Sequence, residues 1–177
     1  ENDGLGKFTD ISERSGVLAT GNRIHRSAIY ADYDDDGRID VFVTVNGQQV
    51  EDGQGNNIFD PNQGKGILFH NETESDNNWI KVRLEGTKSN RDGFGATVSI
   101  KAGEIKHKQS LVSGEGYFSA HAKEIYFGLG SVKSIDKIEV LWPSGMDQTF
   151  ENIPVNQTVY ILEGETLYQN TSHLNVK

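Results

Sequence analysis

The stretch Asp32-Tyr33-Asp34-Asp35-Asp36-Gly37-Arg38-Ile39-Asp40 sets side-chain carboxylates at loop positions 1, 3, 5 and 9, with glycine at position 6. A hard cation of calcium's size takes roughly six to eight oxygens, and alternate residues of a tight turn aim their carboxylates into one small volume. Without a cation the same carboxylates repel one another, so the empty loop is expected to be costly to close. An EF-hand would need a bidentate Glu at position 12 and a helix on each side. Position 12 is Val43. The flanks, Ser27-Ala28-Ile29-Tyr30-Ala31 and Val41-Phe42-Val43-Thr44-Val45, are rich in β-branched and aromatic residues and lack helical periodicity. The loop therefore joins strands, which sets the fold class as all-β. The plain alternative is an acidic turn that only solvates a hairpin.

Outward from the loop, short alternating or apolar runs recur between turn signals. Gly6-Lys7-Phe8-Thr9-Asp10-Ile11 reads as a strand after the turn Asn2-Asp3-Gly4, and Ile67-Leu68-Phe69-His70 as another. Between them, Asn46 to Gly66 reads as a long polar, glycine-rich loop. Composition shifts near Asp76-Asn77-Asn78. Beyond it, Trp79-Ile80-Lys81-Val82-Arg83-Leu84 alternates cleanly, with Ile80, Val82 and Leu84 on the buried face. Ala96-Thr97-Val98-Ser99-Ile100 repeats the device, and further strands are expected near 105–112, 124–128, 136–142, 147–151 and 157–163. These predict a seven-stranded sandwich or barrel over 77–177, with a separate unit over 1–76.

At 177 residues the chain can bury a real core, and 34% hydrophobic content with 20 glycines suits a turn-rich protein. No run approaches the roughly 18 apolar residues of a membrane span, and the first residues carry no signal-peptide pattern. The chain starts at Glu1, which suggests a processed or trimmed product. The net charge of −9 is unevenly spread: residues 1–76 hold 15 acidic and 6 basic side chains, whereas 77–177 hold 11 of each. Nucleic-acid binding needs a basic face, and Lys106-His107-Lys108 is too short to supply one; it reads as a guarded strand edge. The absence of cysteine excludes disulfides, thiolate metal sites and Cys nucleophiles. The sequons at Asn71-Glu72-Thr73, Asn156-Gln157-Thr158 and Asn170-Thr171-Ser172 are weak evidence for glycosylation, since chance alone would supply roughly two.

Other constellations carry less. Asp52-Gly53-Gln54-Gly55-Asn56 lacks a third carboxylate and reads as a surface loop, with an assisting ion contact as the alternative. His25, His70, His107, His121 and His173 show no metal-ligand spacing and read as isolated surface or hydrogen-bonded side chains. Ser113-Gly114-Glu115-Gly116-Tyr117 is not a nucleophile elbow, and Gly128-Leu129-Gly130 has no helix to make a phosphate loop. Glu115 and Glu124 would make a carboxylate pair only if folding brought them together. Trp142-Pro143-Ser144-Gly145 reads as a strand end, with Trp142 in the core or facing a partner.

The first 70 or so residues resemble the end of an FG-GAP/VCBS repeat array. Phe8-Thr9-Asp10-Ile11-Ser12 is similar to the strand that closes such repeats, and Ala31 to Val43 to their calcium-loop core. The resemblance implies a propeller-blade-like β repeat in which Asp32, Asp34, Asp36 and Asp40 give side-chain oxygens and Arg38 its carbonyl. The remainder resembles the ASPIC/UnbV domain found after such repeats in secreted proteins. That likeness is carried by Gly86 through Ala96, Gly114-Glu115-Gly116-Tyr117, Phe127-Gly128-Leu129-Gly130 and Val140 through Gly145. A propeller needs at least about four blades and this chain holds sequence for one, so either it is the C-terminal piece of a larger protein or a single repeat packs on the terminal domain.

The expected function is that of a non-enzymatic, secreted or cell-surface module. It binds Ca2+ structurally and serves adhesion or recognition of an extracellular protein or glycan, without nucleic acid or a membrane span. The alternative is an accessory carbohydrate-binding region of a secreted enzyme, with Trp79, Tyr117 or Phe118 as an exposed stacking platform.

Overall fold

A computed structural model describes residues 1–3, 5–20, 23–166 and 169–170. Gly4, His173 and the Thr171 and Ser172 of the third sequon lie outside the described residues. The first unit is a four-stranded sheet of β1 (Arg23–Ala31), β2 (Asp40–Glu51), β3 (Asn57–Asp60) and β4 (Ile67–Phe69). The long strand β2 is its spine. It pairs antiparallel with β1 on one side; on the other, Val41, Phe42 and Val43 pair with β4, and Gln48 to Glu51 pair with β3. The loop Asp32–Ile39 connects β1 to β2.

Among the described residues eight strands follow: β5 (Asn78–Glu85), β6 (Thr97–Ala102), β7 (Ile105–Ser110), β8 (Ile125–Gly130), β9 (Ser134–Leu141), β10 (Asp147–Pro154), β11 (Gln157–Leu162) and β12 (Gln169–Asn170). They form two four-stranded sheets, in the orders β10-β9-β6-β7 and β12-β11-β5-β8, with β11 parallel to β5. The seven expected strands are all present, joined by the two-residue β12. The all-β class holds, and the sandwich alternative is the one realised, since among the described residues no sheet closes into a barrel. Alternation drives this packing. Ile80, Val82 and Leu84 of β5 meet Val98 and Ile100 of β6, Phe127 of β8, Ile138 and Val140 of β9, and Val159 and Ile161 of β11 in one buried cluster. Trp142 belongs to that core, just past β9.

Two expectations fail in the first unit. Residues 6–11 form no strand; Asp3 Oδ1 instead accepts the amides of Leu5 and Lys7, and only Asn2 and Phe8 bridge. Phe8 has no layer to pack on and stands 74% exposed, so alternation there gains no burial to hold a strand. The stretch 46–66 is not a loop throughout, because β2 runs on to Glu51 and returns as β3. Asp52 closes that hairpin by accepting the amides of Gln54 and Asn56 on Oδ1.

Candidate metal centre

The Asp loop folds on its own backbone. Asp32 Oδ1 accepts the amide of Asp36 at 3.0 Å, and Oδ2 that of Gly37 at 3.1 Å. Asp40 takes the Tyr33 amide on Oδ2 and the Asn71 amide on Oδ1, tying the loop to the segment after β4. Asp36 Oδ1 accepts the Arg38 amide, and the Arg38 guanidinium pairs with the Asp36 carboxylate. That turn bends through Gly37, at φ +87°. A Cβ built there would lie 2.0 Å from Trp79 Nε1, so only glycine lets the indole close over the loop.

These bonds draw three of the expected donors together and leave Asp36 to a second group. One ligand atom each from Asp32, Asp34 and Asp40 lies within 4.8 Å of the others, and Asp34, Asp36 and His70 make a second such group. Arg38 sits at the loop edge, its Nε donating to Asn71 O at 2.6 Å. His70 Nε2 stands 3.2 Å from Asp34 Oδ2, a spatial convergence that its place in the sequence does not show. The donor set fits a hard cation in its chemistry: each ionised carboxylate offers about four lone-pair sites, and the amides of the loop use only part of them. The buried Asp36 Oδ2 is already neutralised by the Arg38 guanidinium that pairs with it.

The sandwich closes the loop from the far side. Ile80, Val82 and Leu84 of β5 enter the core, so Trp79, Lys81 and Arg83 lie on its other face, from which Trp79 and Lys81 reach the Asp loop. Lys81 is 0% exposed. Its ammonium donates to Asp32 Oδ2 at 3.0 Å and to Asp35 Oδ1, and lies 3.9 Å from Glu124 Oε2. Asp35, at φ +60°, is the loop carboxylate outside the expected ligand set. Burial pushes the Lys81 ammonium down; hydrogen bonds to Asp35 and Asp32, with the Glu124 charge, more than reverse this, and its pKa stands above the ordinary lysine value. Part of the loop's repulsion is thus neutralised by a cation the chain itself supplies, which moderates the expected cost of an empty loop.

Glu124 continues the network. It pairs with the Arg83 guanidinium and accepts the Tyr126 hydroxyl, and Arg83 also reaches Tyr160. Burial, followed by that hydrogen bond, raises the Tyr126 phenol well above its ordinary value, so the hydroxyl stays protonated. Its oxygen accepts the Asp32 amide at 3.3 Å. Tyr30 of β1 stacks on His121, ring centroids 3.8 Å apart, and its amide donates to His121 Nδ1. Period-2 alternation could have flagged Lys81 and Arg83 as one face of β5, but nothing local says what covers that face.

Of the remaining candidates, Glu124 and Trp79 border this centre and the others lie apart from it. Lys106-His107-Lys108 lies exposed on the edge strand β7. Glu124 takes Arg83 and Tyr126 as partners rather than serving a carboxylate pair. Trp79 is no free platform, since its ring covers Gly37; it also lines a cleft of about 730 Å³ with Arg38, Asn71 and Asn156. Tyr117 and Phe118 are exposed, the latter 93%, with rings edge to face at 4.7 Å.

A second anchored carboxylate organises the sandwich. Glu163, buried just past β11, accepts the amides of Thr87, Lys88 and Ser89 on one oxygen and the hydroxyls of Ser89 and Ser144 on the other. Burial raises its carboxyl, and these donors, led by the Ser144 hydroxyl, overcome that and hold the pKa at about 2. The turn it grips continues through Asn90, which brackets Phe94 by two hydrogen bonds, to Gly93 at φ +71°.

Sheet orders, turn and anchor define an all-β sandwich joined to an acidic four-stranded sheet. Residues 86–167 match the family model described as ASPIC and UnbV, so an ASPIC/UnbV domain is present in this chain. No curated protein matches the sequence. Among the described residues no helix is long and apolar enough to cross a membrane.

Proposed function

We propose that the chain is a non-enzymatic, extracellular calcium-binding module for adhesion or ligand recognition, its first 76 residues being the end of an FG-GAP/VCBS array. The observation that carries this reading is the convergence of Asp32, Asp34 and Asp40 oxygens within 4.8 Å. Asp32, Asp34, Asp36 and Asp40 would hold Ca2+ with the Arg38 carbonyl. Bound there, calcium would neutralise the loop carboxylates and tie β1 to β2. The partner is an extracellular protein or glycan. Calcium should raise the melting temperature, because a ligand that binds only the folded state adds about 2.7 kcal/mol at a hundred times its Kd. Asp34→Ala or Asp36→Ala should abolish that rise, and an unchanged wild-type transition at millimolar calcium overturns the reading.

The second reading, an accessory carbohydrate-binding region of a secreted enzyme, is favoured by the exposed Tyr117 and Phe118 pair. Aromatic faces of this kind stack on apolar faces of ligands. A glycan array separates the two: specific sugar binding lost in Phe118→Ala supports the second reading, and no sugar bound removes it.

A further inference from the structure

We propose that Lys81 is the positioning residue of the cation site, so that the site is completed by the sandwich and not by the loop alone. This rests on the cation reading above and adds a residue from another sheet to it. The first ligand of the loop, Asp32, is held from the sandwich at two points. Its carboxylate receives the Lys81 ammonium of β5 at 3.0 Å, and its backbone amide donates to the Tyr126 hydroxyl of β8 at 3.3 Å. Both side chains come from neighbouring strands of one sheet, paired in register at Lys81 and Tyr126.

The geometry divides the work of the Asp32 carboxylate. Oδ2 is committed to Lys81 and to the Gly37 amide, which leaves Oδ1, with one amide donor, to be shared with a cation. Lys81 also engages Asp35, so the charge outside the ligand set is matched locally. An ammonium has three donors and no acceptor, and here two of them point into the loop. Its side chain is fully buried, which fixes its position as a surface lysine's would not be. Groups that orient a ligand residue commonly govern metal affinity by about 10- to 100-fold.

Positioning and simple charge make opposite predictions. A lysine that merely repelled the incoming cation would, on removal, tighten binding. A lysine that orients Asp32 would, on removal, weaken it. Titration calorimetry with Ca2+ on the whole chain decides between them. Lys81→Met, which keeps the length and apolar stem, is expected to weaken calcium binding by about tenfold or more, and Lys81→Arg to restore most of it. Tyr126→Phe, which removes only the hydroxyl that accepts the Asp32 amide, is expected to weaken binding by a smaller factor, and it carries the test should Lys81→Met not fold. Hydrogen exchange supplies a second readout: calcium should slow exchange at the β5 amides of wild type but not of Lys81→Met. Equal or tighter binding by Lys81→Met, or by Tyr126→Phe where Lys81→Met does not fold, overturns the proposal while leaving the calcium site standing. A wild-type protein that takes up no calcium overturns the cation reading and this proposal with it.

Discussion

Strands β5–β11 turn their apolar faces toward one another, whereas β1–β4 leave theirs largely in water. Among the described residues every buried apolar side chain except Val45 lies in the sandwich core or just beside its strands. In the first sheet, Phe42 sits opposite Ile29 and Leu68, and both Phe42 and Leu68 are exposed. Its other face carries Val41, Val43 and Val45, whereas Phe42 is followed on its own face by Thr44, Asn46 and Gln48, so β2 is apolar chiefly on one side. The sandwich meets this sheet chiefly through the Asp loop. One unit is thus held by burial and the other by a polar junction of Lys81, Asp32, Glu124 and Tyr126. The difference teaches that the same strand alphabet can yield a self-sufficient core or a sheet dependent on its neighbour.

The largest expected effect tests the burial side. Phe127→Ala in the core should cost about 3–5 kcal/mol in urea unfolding, while Phe42→Ala should cost under about 1 kcal/mol. Comparable losses would break the contrast. Next comes the junction. Gly37→Ala combines left-handed backbone strain with a side chain driven into the Trp79 indole, for a loss of about 2–4 kcal/mol. Trp79 emission should shift to the red as the ring is displaced, while Trp142, buried in the core, keeps its blue emission.

Acid should probe the sandwich anchor at a smaller scale. Because the folded Glu163 carboxyl is held at about 2, below its ordinary 4.5, its contribution is present above that ordinary value and is lost as pH falls from 4.5 toward 2. A melting series from pH 7 to 2 should show Glu163→Gln several degrees lower at neutral pH and with a shallower acid slope. Parallel slopes would remove Glu163 from the acid limb. The smallest effect belongs to Asp52→Ala. It opens a hairpin turn for under about 1 kcal/mol and should leave any calcium-induced rise in melting temperature intact. Loss of that rise would instead make Asp52 part of the ion site.

Legibility followed the physics of each region. The β5 run was readable because Ile80, Val82 and Leu84 alternate with polar residues, and burial on one face enforces that period. The spacing of Asp32, Asp34 and Asp40 was readable because the convergence of ligands in a tight loop is local. The strand expected at residues 6–11 failed because alternation stabilises a strand only when some layer receives the apolar face, and Phe8 has none. The hairpin within 46–66 was missed because its turn is polar and its strands carry little apolar signal, so long-range pairing with β2 decided it. His70 gave no sequence signal; it reaches Asp34 only because β4 pairs with the start of β2.

The sequence by itself determined the all-β class, the positions of the seven sandwich strands and the loop carboxylates, since alternation, turn chemistry and ligand spacing act over a few residues. Only the tertiary structure decided that Lys81, polar and on the outward face of its strand, is fully buried. Its period predicts solvent, and the Asp loop, some fifty positions earlier in the chain, takes the place of that solvent. A buried ammonium is stable only beside carboxylates, and no local pattern records that those of Asp32 and Asp35 arrive there from another sheet.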